Sequence, residues 1–132
     1  MLESFVWADQ AARLERLRWA IAAVRVDPPK LVRGDFVELL PEVLAARSPD
    51  ALTVVFQIAA TSYLERERYD VFRAELERAG RAGPLAWIST RRLFEKETER
   101  ECYELELALW PEDGPRAVAY LGFHGQWLEW LG

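Results

Sequence analysis

The chain of 132 residues holds one cysteine, one histidine and one methionine, and these scarcities remove whole classes of function. A lone thiol, Cys102, cannot close a disulfide within the chain, and its alternating neighbours predict a small buried side chain rather than a reactive one. With only Cys102 and His124 available, a zinc site of His/Cys type is excluded within one chain. No G-x-S-x-G turn is present to offer a serine to His124. No G-x-G-x-x-G or Walker-type loop occurs either, so the tight glycine turn that lets backbone amides approach a cofactor is missing. No apolar run approaches the ~20 residues of a bilayer span, and no basic stretch followed by an apolar one suggests a secretory signal. The expectation is a cytoplasmic protein with no membrane partner.

Charge of one sign is also scarce. The formal net charge is −5, and arginines alternate with glutamates, as in Glu65-Arg66-Glu67-Arg68. Nucleic-acid binders gather Lys and Arg on one face, so no nucleic-acid partner is expected. What the chain does have is apolar bulk: 51% of residues are hydrophobic and six are tryptophan. Trp110, Trp127 and Trp130 crowd the C-terminal end. That length and composition suit a single domain over residues 1–132 with a real core.

Hydrophobic spacing organises the chain. Leu14, Leu17, Ile21 and Val24 fall on one face of a helix over Asp9 to Val26, which Pro28-Pro29 stops. A short strand follows at Lys30-Leu31-Val32-Arg33. Asp35 and Glu38 have the spacing of a capping box for a second helix, with Pro41 in the first turn of its continuation to about Ala46. Ala51 to Ile58 is almost continuously apolar and β-branched, the pattern of a central parallel strand covered on both faces. A third helix over Tyr63 to Ala79 carries Tyr69, Phe72, Leu76 and Ala79 as its stripe, with Gly80 suited to the left-handed position past its end. Leu85 to Ser89 is another short strand. Alternating strands and helices of this kind predict an α/β fold of three layers, α-β-α, around a mainly parallel sheet.

The C-terminal third differs. Tyr103, Leu105, Leu107 and Leu109 alternate with Glu104, Glu106 and Ala108, marking a strand with one more polar face. Pro111 to Gly114 is a turn, Ala117 to Phe123 returns as a second strand, and Trp127 to Leu131 adds a short third. This end is an antiparallel hairpin. The charged stretch Arg91 to Arg100 leaves two topologies open. A crossover would make the Tyr103 strand parallel to its predecessor and put His124 at the amino edge. A simple loop would give a meander and return His124 to the carboxyl edge.

In open α/β sheets ligands bind beyond the carboxyl ends of parallel strands. Gly34 and Asp35, Gln57 with Thr61, and Ser89 occupy such ends here, with His124 a further polar contributor. Each also has a plain structural role: Asp35 as a helix cap, Gln57 as a strand-end partner, Ser89 as a loop residue.

Four ordered motifs carry a resemblance. They are Val6-Trp7-Ala8-Asp9-Gln10; Arg33-Gly34-Asp35 with Leu40-Pro41; Val54-Val55-Phe56-Gln57 with Tyr63-Leu64; and His124 through Trp130. Together they resemble the uncharacterised bacterial family called domain of unknown function 2332, with this chain expected to match the C-terminal portion of longer members. The element order also resembles the second half of a class I methyltransferase. That resemblance implies S-adenosylmethionine as cofactor, Asp35 at the adenine and Phe56-Gln57-Ile58 facing the methyl donor. Histidine is expected where Gln57 stands, and the first two strands with their glycine turn have no counterpart. The implied reading is a methyltransferase-like domain that binds no cofactor alone, needing a missing N-terminal half. Two alternatives stand beside it: a homodimerisation or protein-interaction module, and an enzyme whose site is completed across a dimer.

Overall fold

The computed structural model describes residues 2–93, 101–123 and 125–132, which form two compact units, 1–33 and 34–132. In the first unit a 3₁₀ turn over Leu2–Phe5 precedes helix α1, Ala11–Val26. Arg18 of α1 reaches back to Glu3, with N–O distances of 3.2 and 3.3 Å. Of the expected stripe, Leu14, Leu17 and Ile21 are the more sheltered positions whereas Val24 is 51% exposed, and no residue of α1 is buried. Lys30 to Arg33 is not a strand. Four residues between Pro29 and Gly34 are too few to hold a ladder without a neighbour, and Leu31 is 88% exposed.

The second unit is α2 (Phe36–Ala45), β1 (Thr53–Phe56), a 3₁₀ turn (Ala60–Tyr63), α3 (Arg66–Ala82), β2 (Leu85–Leu93), β3 (Cys102–Trp110), β4 (Asp113–Leu121) and β5 (Leu128–Trp130). Asp35 starts α2 as expected, accepting from the amides of Val37 at 2.9 Å and Glu38 at 3.3 Å. The strands lie in chain order, β1-β2-β3-β4-β5. Among the described residues only β1 and β2 are parallel; the other three pairs are antiparallel.

The mainly parallel sheet is therefore corrected to a mixed, mostly antiparallel one. Only α3 provides the long connection that a parallel pair requires, and β2 to β5 return on themselves. The strand at 51–58 is also corrected. It is not central but the sheet edge, four residues long, with one face open to solvent. Of the two topologies for 91–100, the antiparallel β2–β3 pairing is that of the meander; residues 94–100 themselves lie outside the described residues.

The expected three layers, α-β-α, are corrected for this unit to two: both of its helices pack on one sheet face. Val37, Leu40 and Leu44 of α2 and Phe72, Leu76 and Ala79 of α3 bury against Leu85, Trp87 and Ala108, with Val55 and Trp110 at the margin. Phe36, Phe72 and Trp87 stack edge-to-face in series, and Trp87 lies parallel to Trp110 with ring centroids 6.5 Å apart. Gly80 does not end α3; it is buried within the helix. A Cβ there would sit 2.5 Å from Trp110 Cβ, so glycine is what lets α3 lie down on β3.

Candidate functional site

The predicted site residues divide into separate local structures. Gly34 precedes α2 with φ at +157°, where a side chain would meet Leu39. Asp35, beyond its capping bonds, accepts from Arg68 of α3 at 2.6 Å. Burial pushes this carboxyl up, but the two amides and the guanidinium outweigh that and hold it below its ordinary value. Oδ1 accepts all three of these bonds and thereby ties α2 to α3.

At the carboxyl end of β1, Gln57 Nε2 donates to Thr61 Oγ1 at 3.1 Å, and the Gln57 amide extends the ladder to Ile88 O at 3.0 Å. Ala59, in the left-handed region at φ 58°, turns the chain there, and its amide donates to Thr90 Oγ1 at 2.9 Å. Gln57 and Thr61 are brought together, with Thr90 joining through Ala59. Ser89 points to the opposite sheet face from Thr90, because neighbours in a strand alternate. His124 lies outside the described residues.

Ser89 instead reaches Glu106, opposite it on β3, at 3.4 Å. Burial, reinforced by the nearby Glu104 charge, raises the Glu106 carboxyl above its ordinary value. Burial likewise raises Tyr69 of α3, with the Glu106 charge adding to it. Glu104 is met by Arg91 at 3.0 Å. The glutamates that mark the polar side of β3 in sequence therefore lie on the helix-bearing face, along the same side as Ala108 and Trp110.

The leucines of β3 consequently face the other way. Register carries their side across the whole sheet, since paired residues share a face. One row runs Phe56, Ile88, Leu107. The next runs Thr90, Leu105, Ala119, Trp130, and a third Arg92, Tyr103, Leu121, Leu128. Neither α2 nor α3 covers this side. Val54 is 53% exposed, Phe56 65%, Leu128 48% and Trp130 69%. Arg92 lies over the Phe123 ring at 5.0 Å, and Tyr103 meets the same ring edge-on at 4.9 Å. That the leucines turn away from the helices is not visible in the sequence, where Tyr103 to Leu109 alternates like any strand that buries its leucines against helices.

What this arrangement can do chemically is bind apolar surface. Among the described residues no group of three His, Cys, Asp or Glu could hold a metal ion, and no helix is long and apolar enough to cross a membrane. The model of a family described as an uncharacterized protein conserved in bacteria (DUF2332) matches residues 1–130. No curated protein and no solved structure matches the chain.

Proposed function

Because the chain belongs to the DUF2332 family, whose description assigns no activity, the reading rests on surface physics, and we propose an interaction module that pairs with a second copy of itself. The observation that carries this is the side of the sheet that α2 and α3 leave uncovered, apolar and well exposed at Val54 and Phe56 on β1 and at Leu128 and Trp130 on β5, with the β3 leucines half-buried between them. At 65% and 69% exposure, Phe56 and Trp130 alone leave roughly 200–300 Å² of aromatic surface in water. Val54 and Leu128, each about half exposed, enlarge this to a few hundred Å², the size at which an exposed apolar patch marks an interaction site.

A second copy fits because such a face can stack on itself. Two sheets packed at ~10 Å interdigitate their inner side chains, and a two-fold axis needs only one self-complementary patch. Charges stay at the border of this face, at Arg92 and Arg116. Light scattering over a range of concentrations tests the proposal: a dimer mass is expected, and a monomer mass at the highest concentration overturns it.

The methyltransferase-like reading keeps one favouring observation, the polar pair Gln57 and Thr61 at the carboxyl end of the parallel strands. It is the weaker reading. Asp35 is already engaged by Arg68 and the helix cap, and among the described residues β1 has no further parallel neighbour to form a crevice. Calorimetry with S-adenosylmethionine on this chain should show no heat, and tight binding would restore that reading. An enzyme completed across the dimer would call on Asp35, Gln57 and His124, and would show binding only in the dimeric state.

A further inference from the structure

The two rims of the sheet are guarded differently. At one rim lies β5, three residues long with the charged Glu129 at its centre. At the other lies β1, Thr53-Val54-Val55-Phe56, and the longer run from Ala51 to Ile58 carries no charge at all. Edge strands commonly bear a lysine, a proline, a bulge or an inward charge that stops them pairing with another chain. Shortness is the one such guard that β1 has. Its register also decides which backbone groups point outward. Thr53 N donates to Pro84 O at 3.2 Å and Gln57 N to Ile88 O at 3.0 Å, so the odd-numbered residues face β2. Amide and carbonyl groups alternate sides along a strand, which turns those of Val54 and Phe56 to the rim. Among the described residues no strand meets that rim, and both residues are well exposed.

Two outward residues on either side of Val55 make an edge that is complementary to itself. On a two-fold axis through Val55, Val54 of one copy exchanges both main-chain bonds with Phe56 of the other, and the reverse. Their side chains become cross-strand neighbours, an aromatic and β-branched pair of the kind that stabilises sheets. Thr53 then lies across from Gln57 and Leu52 across from Ile58, so no like charges meet. At the β5 rim the same operation would bring Glu129 close to its own copy. We propose that β1 pairs antiparallel with β1 of a second copy, joining two sheets rim to rim into one. This contact uses the rim and not the open side, so it goes beyond the face-to-face pair and does not depend on it. With so few main-chain bonds it is the weaker of the two and adds pairs to pairs as concentration rises.

Amide hydrogen exchange of the whole chain, followed by NMR at rising concentration, tests this. Stacked faces leave the rim amides in water, whereas rim pairing protects those of Val54 and Phe56. Their exchange should slow about tenfold once about nine-tenths of the chains are paired, because only the unpaired form exchanges. Val54→Pro removes an outward amide without touching the β2 ladder, at the kind of edge position where proline is tolerated. It should abolish the concentration-dependent protection of Phe56. A second variant, Val54→Lys, keeps every backbone amide, adds the usual edge guard, and should do the same. Trp130→Ser, at the far end of the open face, should weaken face pairing and leave the protection intact, so the two contacts fail separately. Protection that is absent at the highest concentration, or that survives in both Val54 variants, overturns the proposal. Full protection in a sample of monomer mass overturns it as well, since another segment of the same chain then covers the rim.

Discussion

Replacing Phe56 by serine is the sharpest probe of the open face. Phe56 lies on the edge strand with 65% of its surface in water, so the folded monomer loses little by its removal. Exposed positions of this kind change stability by about 0.5 kcal/mol or less. In a face-to-face dimer the same side chain would be covered. A phenylalanine presents about 150–250 Å², and its exposed portion is then roughly 100–160 Å². At ~25 cal/mol per Å² that amounts to about 2.5–4 kcal/mol for each protomer. Interface truncations commonly return somewhat less than area implies, so about 2 kcal/mol per protomer is the working figure. A two-fold axis counts it twice. The dimer dissociation constant should rise by about a thousandfold. Sedimentation velocity across a concentration series measures this, with urea unfolding of the diluted monomer as the control. If Phe56→Ser leaves the dissociation constant unchanged while the monomer folds normally, the face is not the interface.

Three further outcomes follow from the packing. Gly80→Ala should destabilise the chain even though alanine is favoured over glycine in a helix by about 1 kcal/mol, because the new Cβ meets Trp110 at 2.5 Å; overpacking of about 1–3 kcal/mol wins, and a raised melting midpoint would refute the close approach. Glu106→Gln tests the buried carboxyl. Its folded value is raised above the ordinary 4.5, so its contribution is fully present below that value and is lost as pH rises through the folded one. The glutamine variant should thus gain relative to wild type between pH 4 and pH 7 in thermal melts, and a flat difference would refute the burial argument. Asp35→Ala should lower the melting midpoint at neutral pH without altering dimer dissociation. The carboxyl is held below its ordinary 3.8, so its stabilisation is present above that value and fades as pH falls through the lower folded one; the gap between variant and wild type should close in acid.

The capping residue shows how far local chemistry reaches. Asp35 starts α2 because a carboxylate before the first turn meets free amides whatever surrounds it, and that was legible in the residues alone. The same holds for the stripe of Phe72, Leu76 and Ala79, for the buried thiol of Cys102, and for the three closing strands. The candidate site was legible only in pieces. Gln57 and Thr61 do meet, whereas Ser89 turns to Glu106 and Asp35 to Arg68. Nothing in the residue pattern singled out Arg47, because its bond to Ala79 of another helix arises only in the fold.

Element type, caps and the two-residue rhythm of β3 came from the sequence by itself, because they depend on neighbours a few positions away. Strand order and facing came from the tertiary structure. An apolar run such as Ala51 to Ile58 has the same local preferences in the middle of a sheet as at its rim, and only its pairing with β2 alone makes it an edge. The alternation of β3 likewise says that leucines and glutamates part company, not which side the helices take. The packing of α3 on Ala108 and Trp110 decides that, and it leaves the leucines facing outward.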